Sequence, residues 1–245
     1  MTRKTARYQV RETIVTVIAE ERYHDVCLDS IRRSREDLER YILEDPFFKV
    51  TFEPYDCPKD SPLVVRRMSE AAAKAGVGPM AAVAGTIAWI AVEDMVKAGA
   101  SYAIVDNGGD IALINDTTAV IGIYAGQSPV KGLGLEISPR KKILGICTSS
   151  ATVGPSISLG NSDAALIVSE DVSLADAAAT ALGNRILDQE SLETAFDFLK
   201  DVPEVTGAIG IIGDRMATYG HLPKIVKADV DYEKITKGTD QRIGS

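Results

Sequence analysis

Apolar residues recur along this chain at two periods, one near 3.6 and one near 2, and the change from the first to the second falls close to Gly99. Before it, residues 6–19 are rich in Val, Ile, Thr and Tyr and predict a strand, with a turn and a second strand across 20–27. Asp29 and Ser30 are good helix caps, and Ile31, Leu38, Ile42 and Leu43 share one side of a helix predicted over 31–43. Residues 47–55 alternate as another strand. Pro62 suits the first turn of a helix that runs to Ala75, and Gly76 suits its end. Gly78-Pro79 opens a further helix, closed by Lys97 and Gly99 and apolar nearly all round, which places it at the centre of the fold. Its small residues Ala81, Gly85 and Ala88 let another backbone approach closely.

After Gly99 the alternation predicts strands at 102–106, 110–115, 119–126, 132–138, 143–149 and 163–169. Asn107-Gly108-Gly109 spaces the first two as a hairpin with a left-handed turn residue, and Asp116-Thr117-Thr118 makes the next turn. Short turns imply antiparallel neighbours, because parallel strands need long crossovers. Helices follow at 174–186 and 191–199, and 207–213 with 216–220 form a closing hairpin through Asp214-Arg215. No repeat or linker divides the sequence. The expectation is one α+β domain over 1–245, a mainly antiparallel sheet with helices packed on one face, ending in a polar, frayed tail at 234–245.

Charge narrows the classes of partner. Asp and Glu number 35 against 27 Lys and Arg, a net charge of −8, whereas a nucleic-acid footprint is basic. The Arg32, Arg33 and Arg35 cluster alternates with Glu36, Asp37 and Glu39 and is a solvated helix face. The longest apolar run, 80–92, is short of the roughly 20 residues that span a bilayer, and no apolar stretch follows the basic start. The expected protein is cytoplasmic, without nucleic-acid or membrane partners. Three cysteines without a CxxC make neither a disulfide framework nor a zinc pattern.

Candidate chemistry gathers in 145–182. Asp176 and Thr180 are four apart, so on a helix both oxygens lie on one face near its positive end, where a metal ion or a phosphate can sit. Two plainer roles compete. Ser173-x-x-Asp176 is a capping-box pattern, and a helical threonine often bonds its own backbone. Asn107, Gly108, Gly109 and Asp110 can bring backbone amides to a ligand or simply form a turn. Thr148, Ser149 and Ser150 open a Ser/Thr/Gly loop to Ser162 that is either a phosphate-binding or a polar surface loop. Cys147 ends a strand without a partner base in view, and His24 and His221 sit in no motif.

Four strings, VGPMAAVAG at 77–85, NGGDIAL at 107–113, GICTSS at 145–150 and LADAAATAL at 174–182, resemble the ApbE-like superfamily, as does the closing hairpin. The resemblance covers roughly residues 60–220 and points to a branch beside the FAD:protein FMN transferases, which cleave FAD and attach FMN to a protein threonine. It implies a tunnelling-type fold (T-fold) and magnesium held at Asp176 and Thr180. It also implies a flavin, nucleotide or other phosphate-bearing ligand near Asn107, Gly108, Gly109, Asp110, Thr148, Ser149 and Ser150. By analogy with such folds, and from its apolar helix and strand edges, the chain is expected to form a homo-oligomer, a dimer first of all. Two departures stand out. The transferases carry a His-x-x-Asp-Pro motif where this chain has GPSISLGNS, and a lysine where it has Val83-Ala84-Gly85. A ligand-binding protein without transferase activity is therefore expected. The alternatives are a non-enzymatic accessory protein, in anaerobic sulfur assimilation towards homocysteine, and a structural oligomer subunit.

Overall fold

A computed structural model describes residues 2–11, 13–150 and 159–228. The chain opens with a hairpin, β1 (Arg3–Val10) and β2 (Thr13–Glu20), turned at Arg11 in a left-handed conformation. Helix α1 (His24–Glu44), the helical turn α2 (Phe47–Val50), α3 (Leu63–Ala75) and α4 (Val83–Lys97) follow. Then come β3 (Ala103–Asn107), β4 (Asp110–Ile114), β5 (Ala119–Ile123), β6 (Leu133–Ile137), β7 (Leu144–Ser149) and β8 (Ala164–Ser169). Helix α5 (Val172–Arg185), a 3-10 stretch at Thr194–Asp201, β9 (Val205–Ile212), β10 (Arg215–Gly220) and β11 (Lys224–Lys227) complete it.

Eight strands form one antiparallel sheet in the order β1-β2-β3-β4-β7-β8-β9-β10, and β11-β6-β5 form a second. Alternate residues of the large sheet face different cores. Val105, Ala112, Cys147, Ile167 and Ala208 pack with the helices, whereas Ile104, Leu113, Ile146, Leu166 and Ile209 pack with Ile121 and Leu135 of the small sheet. The helices thus lie on one face as expected, and the small sheet covers the other. With both faces covered, β8 is buried at every position, which is why its sequence is a continuous apolar run without alternation. α4 contacts α1, α3, α5, β3 and β4, so its apolar girth is consumed inside the protein.

Several expectations are corrected. Residues 6–19 are two strands, and 20–27 hold a 3-10 turn and the start of α1. The buried series Cys27, Ile31, Ser34 and Leu38 continues at helical spacing upstream of Asp29 and carries the helix back to His24. Residues 47–55 are not a strand. Pro46 opens a helical turn that buries Phe48, and Tyr41 and Tyr55 stand edge-on to it at 5.1 and 6.1 Å. β4 does not pair with β5, since the short turn between them carries the chain to the small sheet. Asn115, fully buried there, donates to the carbonyls of Thr117, Ile137 and Ser138 and fixes the departure. The segment predicted as a helix at 191–199 is a 3-10 stretch. The tail at 234–245 lies outside the described residues.

A carboxyl pair between two helix starts

The β3–β4 turn has Gly108 and Gly109 at φ 75 and 103, a conformation that side chains disfavour. It is closed by the Gly109 amide donating to Asp106 Oδ1 at 2.9 Å. Asn107 is buried and donates to the Ala84 carbonyl at 3.0 Å, so it anchors the first turn of α4. Asp110 pairs in register with Cys147 of β7. A side chain at Gly109 would begin 3.7 Å from the Thr148 carbonyl, so the turn leans on the end of β7.

Asp176 reaches the same place from α5. The capping-box role is overturned: the cap is Asp171, whose carboxylate accepts from the Leu174 amide at 2.9 Å. Ser173 instead accepts from the Thr86 hydroxyl at 2.7 Å, and Asp176 Oδ2 accepts from the Gly85 amide at 2.7 Å. The Ala84 amide adds a second donor. A carboxylate therefore sits at the positive start of α4, where free amides favour negative charge. Gly85 makes this possible. A Cβ there would stand 2.7 Å from Asp176 Cβ and 2.9 Å from the Val172 carbonyl.

Asp110 and Asp176 stand together in this desolvated space, where a proton on one can be donated to the other. Burial raises Asp176 to about 7 against the stabilising bonds from Gly85, Asp110 and Ala84. Burial raises Asp110 well above the usual carboxylate range, and the charges of Asp176 and Asp106 add to it. No ion pair to either carboxyl occurs among the described residues. Two carboxyls so placed resist ionising together, which favours a proton held between them. Asp106 is also raised, chiefly by burial. Cys147 beside the pair is held as a thiol, pushed well up by burial and the two aspartates, with Sγ 3.7 Å from the Val172 carbonyl. A thiol in that state is a poor nucleophile.

Thr180 stands one turn further along α5 at intermediate exposure. Thr148 and Ser149 end β7, where the Thr148 amide donates to Asp110, and Ser149 and Ser150 are buried. Ser149 Oγ lies 3.4 Å from where a side chain at Gly183 would begin, on the α5 face that bears Asp176 and Thr180. Residues 151–158 of the Ser/Thr/Gly loop lie outside the described residues. The fold thus gathers the turn, the end of β7 and Asp176. Sequence reading missed Asp106 and the amides of Ala84 and Gly85, and only the two aspartates flanking the turn hinted at the first. Among the described residues no group of three or more His, Cys, Asp or Glu side chains is set to hold a metal alone. The donor set still fits magnesium, a hard cation commonly held by one or two carboxylates together with a ligand's phosphates.

A family model described as "AbpE bacteria" matches residues 1–197. A UPF0280 protein of Methanocella arvoryzae is 75% identical over 236 residues, 96% of each chain. Another, of Methanosarcina acetivorans, is 58% identical over 232 residues, 94% of this chain and 92% of that one. The crystal structure of apo flavinyl transferase ApbE from Pseudomonas stutzeri matches with TM-score 0.56 at 10% identity, over 91% of this chain and 95% of that one. At such identity the likeness concerns the fold, and it agrees with the antiparallel sheet and helical layer described above. The chain belongs to the UPF0280 family, with an ApbE-like fold.

Proposed function

We propose that this protein binds a phosphate-bearing small molecule of the flavin or nucleotide class beside Asp110 and Asp176, together with magnesium, and that it does not transfer flavin. The observation that carries the reading is the buried carboxyl pair without an ion-pair partner among the described residues, where a divalent cation would neutralise both groups. Asp176, Asp110 and the Thr180 hydroxyl would hold the ion, which when bound would neutralise the ligand's phosphates. The turn at Gly108 and Gly109 and the hydroxyls of Ser149 and Ser150 would supply the ligand's surroundings; Thr148 contributes its backbone amide, because its side chain shares the small-sheet face with Ile146.

Binding without transfer is favoured by the start of α4. Where the transferases it resembles carry a lysine, this chain has Val83-Ala84-Gly85; Asp176 engages the amides of Ala84 and Gly85, and the glycine leaves no room for a side chain. The two histidines do not replace the missing motif. His24 contacts Tyr8 and the Ala19 carbonyl at the far end of β2, and His221 follows β10, its amide donating to Thr206. The test is a thermal-shift screen with FAD, FMN, ATP and ADP, each with and without magnesium. A ligand that binds only the folded state raises its melting temperature by mass action. At least one should do so only with magnesium, and a response to none would dispose of the reading.

A further inference from the structure

α3 turns Val64, Val65, Met68, Ala71, Ala72 and Ala75 into the core, and its other side joins the 56–59 segment in walling a cleft of about 740 Å3. That size is typical of small-molecule sites. Two cations of its lining are already matched. Arg67 makes a two-pronged pair with Glu93 at 3.0 and 2.9 Å and lies over the Trp89 ring, and Lys74 bonds Glu204 at 2.8 Å. Arg66 differs. It donates to the Lys59 carbonyl at 3.1 Å, and neither Arg66 nor Lys59 has an ion-pair partner among the described residues.

Ser69, one turn from Arg66, also lines the cleft. It is 4% exposed, and its hydroxyl has no hydrogen-bond partner among the described residues. A helical serine ordinarily bonds back to the carbonyl four residues earlier, and leaving a buried hydroxyl unpaired is costly. With Arg67 and Lys74 matched by Glu93 and Glu204, Arg66 and Lys59 share the lining with the carboxylates Asp56 and Glu70, whose like charge would crowd a ligand carrying more than one negative charge.

We infer that this cleft binds a small molecule bearing a single carboxylate, taken by the Arg66 fork and Lys59 with the Ser69 hydroxyl beneath. The site is separate from the Asp110–Asp176 pair and does not depend on it. A guanidinium matches a carboxylate with two parallel bonds, which a lysine cannot reproduce. Leu63, Pro58 and Ala73 give the remainder of such a ligand apolar surface.

The experiment is an NMR titration of the arginine Nε–Hε signals with sodium butyrate, and separately with inorganic pyrophosphate, at constant ionic strength. Butyrate should shift the Arg66 signal saturably and bind more tightly than pyrophosphate. Backbone signals around α3 should report binding about tenfold weaker in Arg66→Lys, the effect of one lost charge-assisted bond, and no binding in Arg66→Ala. Ser69→Ala should keep or raise thermal stability yet weaken butyrate severalfold. A linear, unsaturable shift, butyrate binding that survives both Arg66 variants, or a preference for pyrophosphate would overturn the inference.

Discussion

Asp176 shows how far a residue's role can be read before its neighbours are known. Its spacing to Ser173 favoured a cap, while resemblance favoured a metal ligand; nothing local pointed to the amides of Ala84 and Gly85, some ninety positions away in the chain. Asp110 was legible as part of a turn, but its proximity to Asp176 is set by the pairing of β4 with β7 and the packing of α5 on β7. A pH dependence follows. Asp176 lies at about 7 in the fold against an ordinary 3.8, so between those values the folded chain keeps a proton that the unfolded chain has lost. Its contribution is fully present below about pH 4 and is lost as pH rises through about 7. In metal-free buffer, Asp176→Asn should therefore flatten that fall and be more stable than the parent at pH 8, since an asparagine oxygen still accepts from Gly85. Urea denaturation from pH 4 to 8 measures this, and an unchanged slope in the variant would refute the shared proton.

Among the elements, those with chemical punctuation were the legible ones. α3 ends at Gly76 in a left-handed conformation, and Gly78-Pro79 introduces the 3-10 turn before α4. α1 begins instead at Tyr23 without a side-chain cap, so Asp29 and Ser30, inside it, gave a false start. The β4–β5 connection was opaque for another reason: a short polar turn looks the same whether the next strand pairs beside it or joins another sheet. The α4–α5 contact makes the sharpest prediction at this scale. Gly85→Ala should cost about 1–3 kcal/mol by forcing the two helix starts apart. It should also weaken any magnesium-dependent ligand response. Differential scanning calorimetry reads the first effect; unchanged stability would mean that the helices are less closely seated than the 2.7 Å clearance indicates.

At the scale of the whole molecule, the strand pattern after Gly99 and the ApbE likeness led to a mainly antiparallel sheet, while the departure of β5 and β6 into a small sheet on its other face was not foreseen. That layer buries the large sheet twice over and leaves the carboxyl pair on the helical side. On the proposed reading, the architecture shared with a flavin transferase is not enough for transfer. Positioning of reacting groups can contribute about 7–11 kcal/mol to a barrier, and this chain lacks the lysine and histidine motifs of the enzymes it resembles. Incubation with FAD, magnesium and a flavin-acceptor domain should leave no covalent fluorescence on the acceptor band, and a fluorescent band lost in Asp176→Asn would identify an active transferase.

Replacement of the shared proton by a divalent cation is most directly measured by calorimetry. Magnesium chloride is titrated into the protein with ADP or FMN at pH 7, in two buffers of different ionisation enthalpy. Metal binding to protonated ligands releases protons. The account predicts release of about one proton per ion bound, and loss of both the release and the binding in Asp176→Asn. Binding without proton release, binding undiminished in that variant, or no binding at all would contradict it.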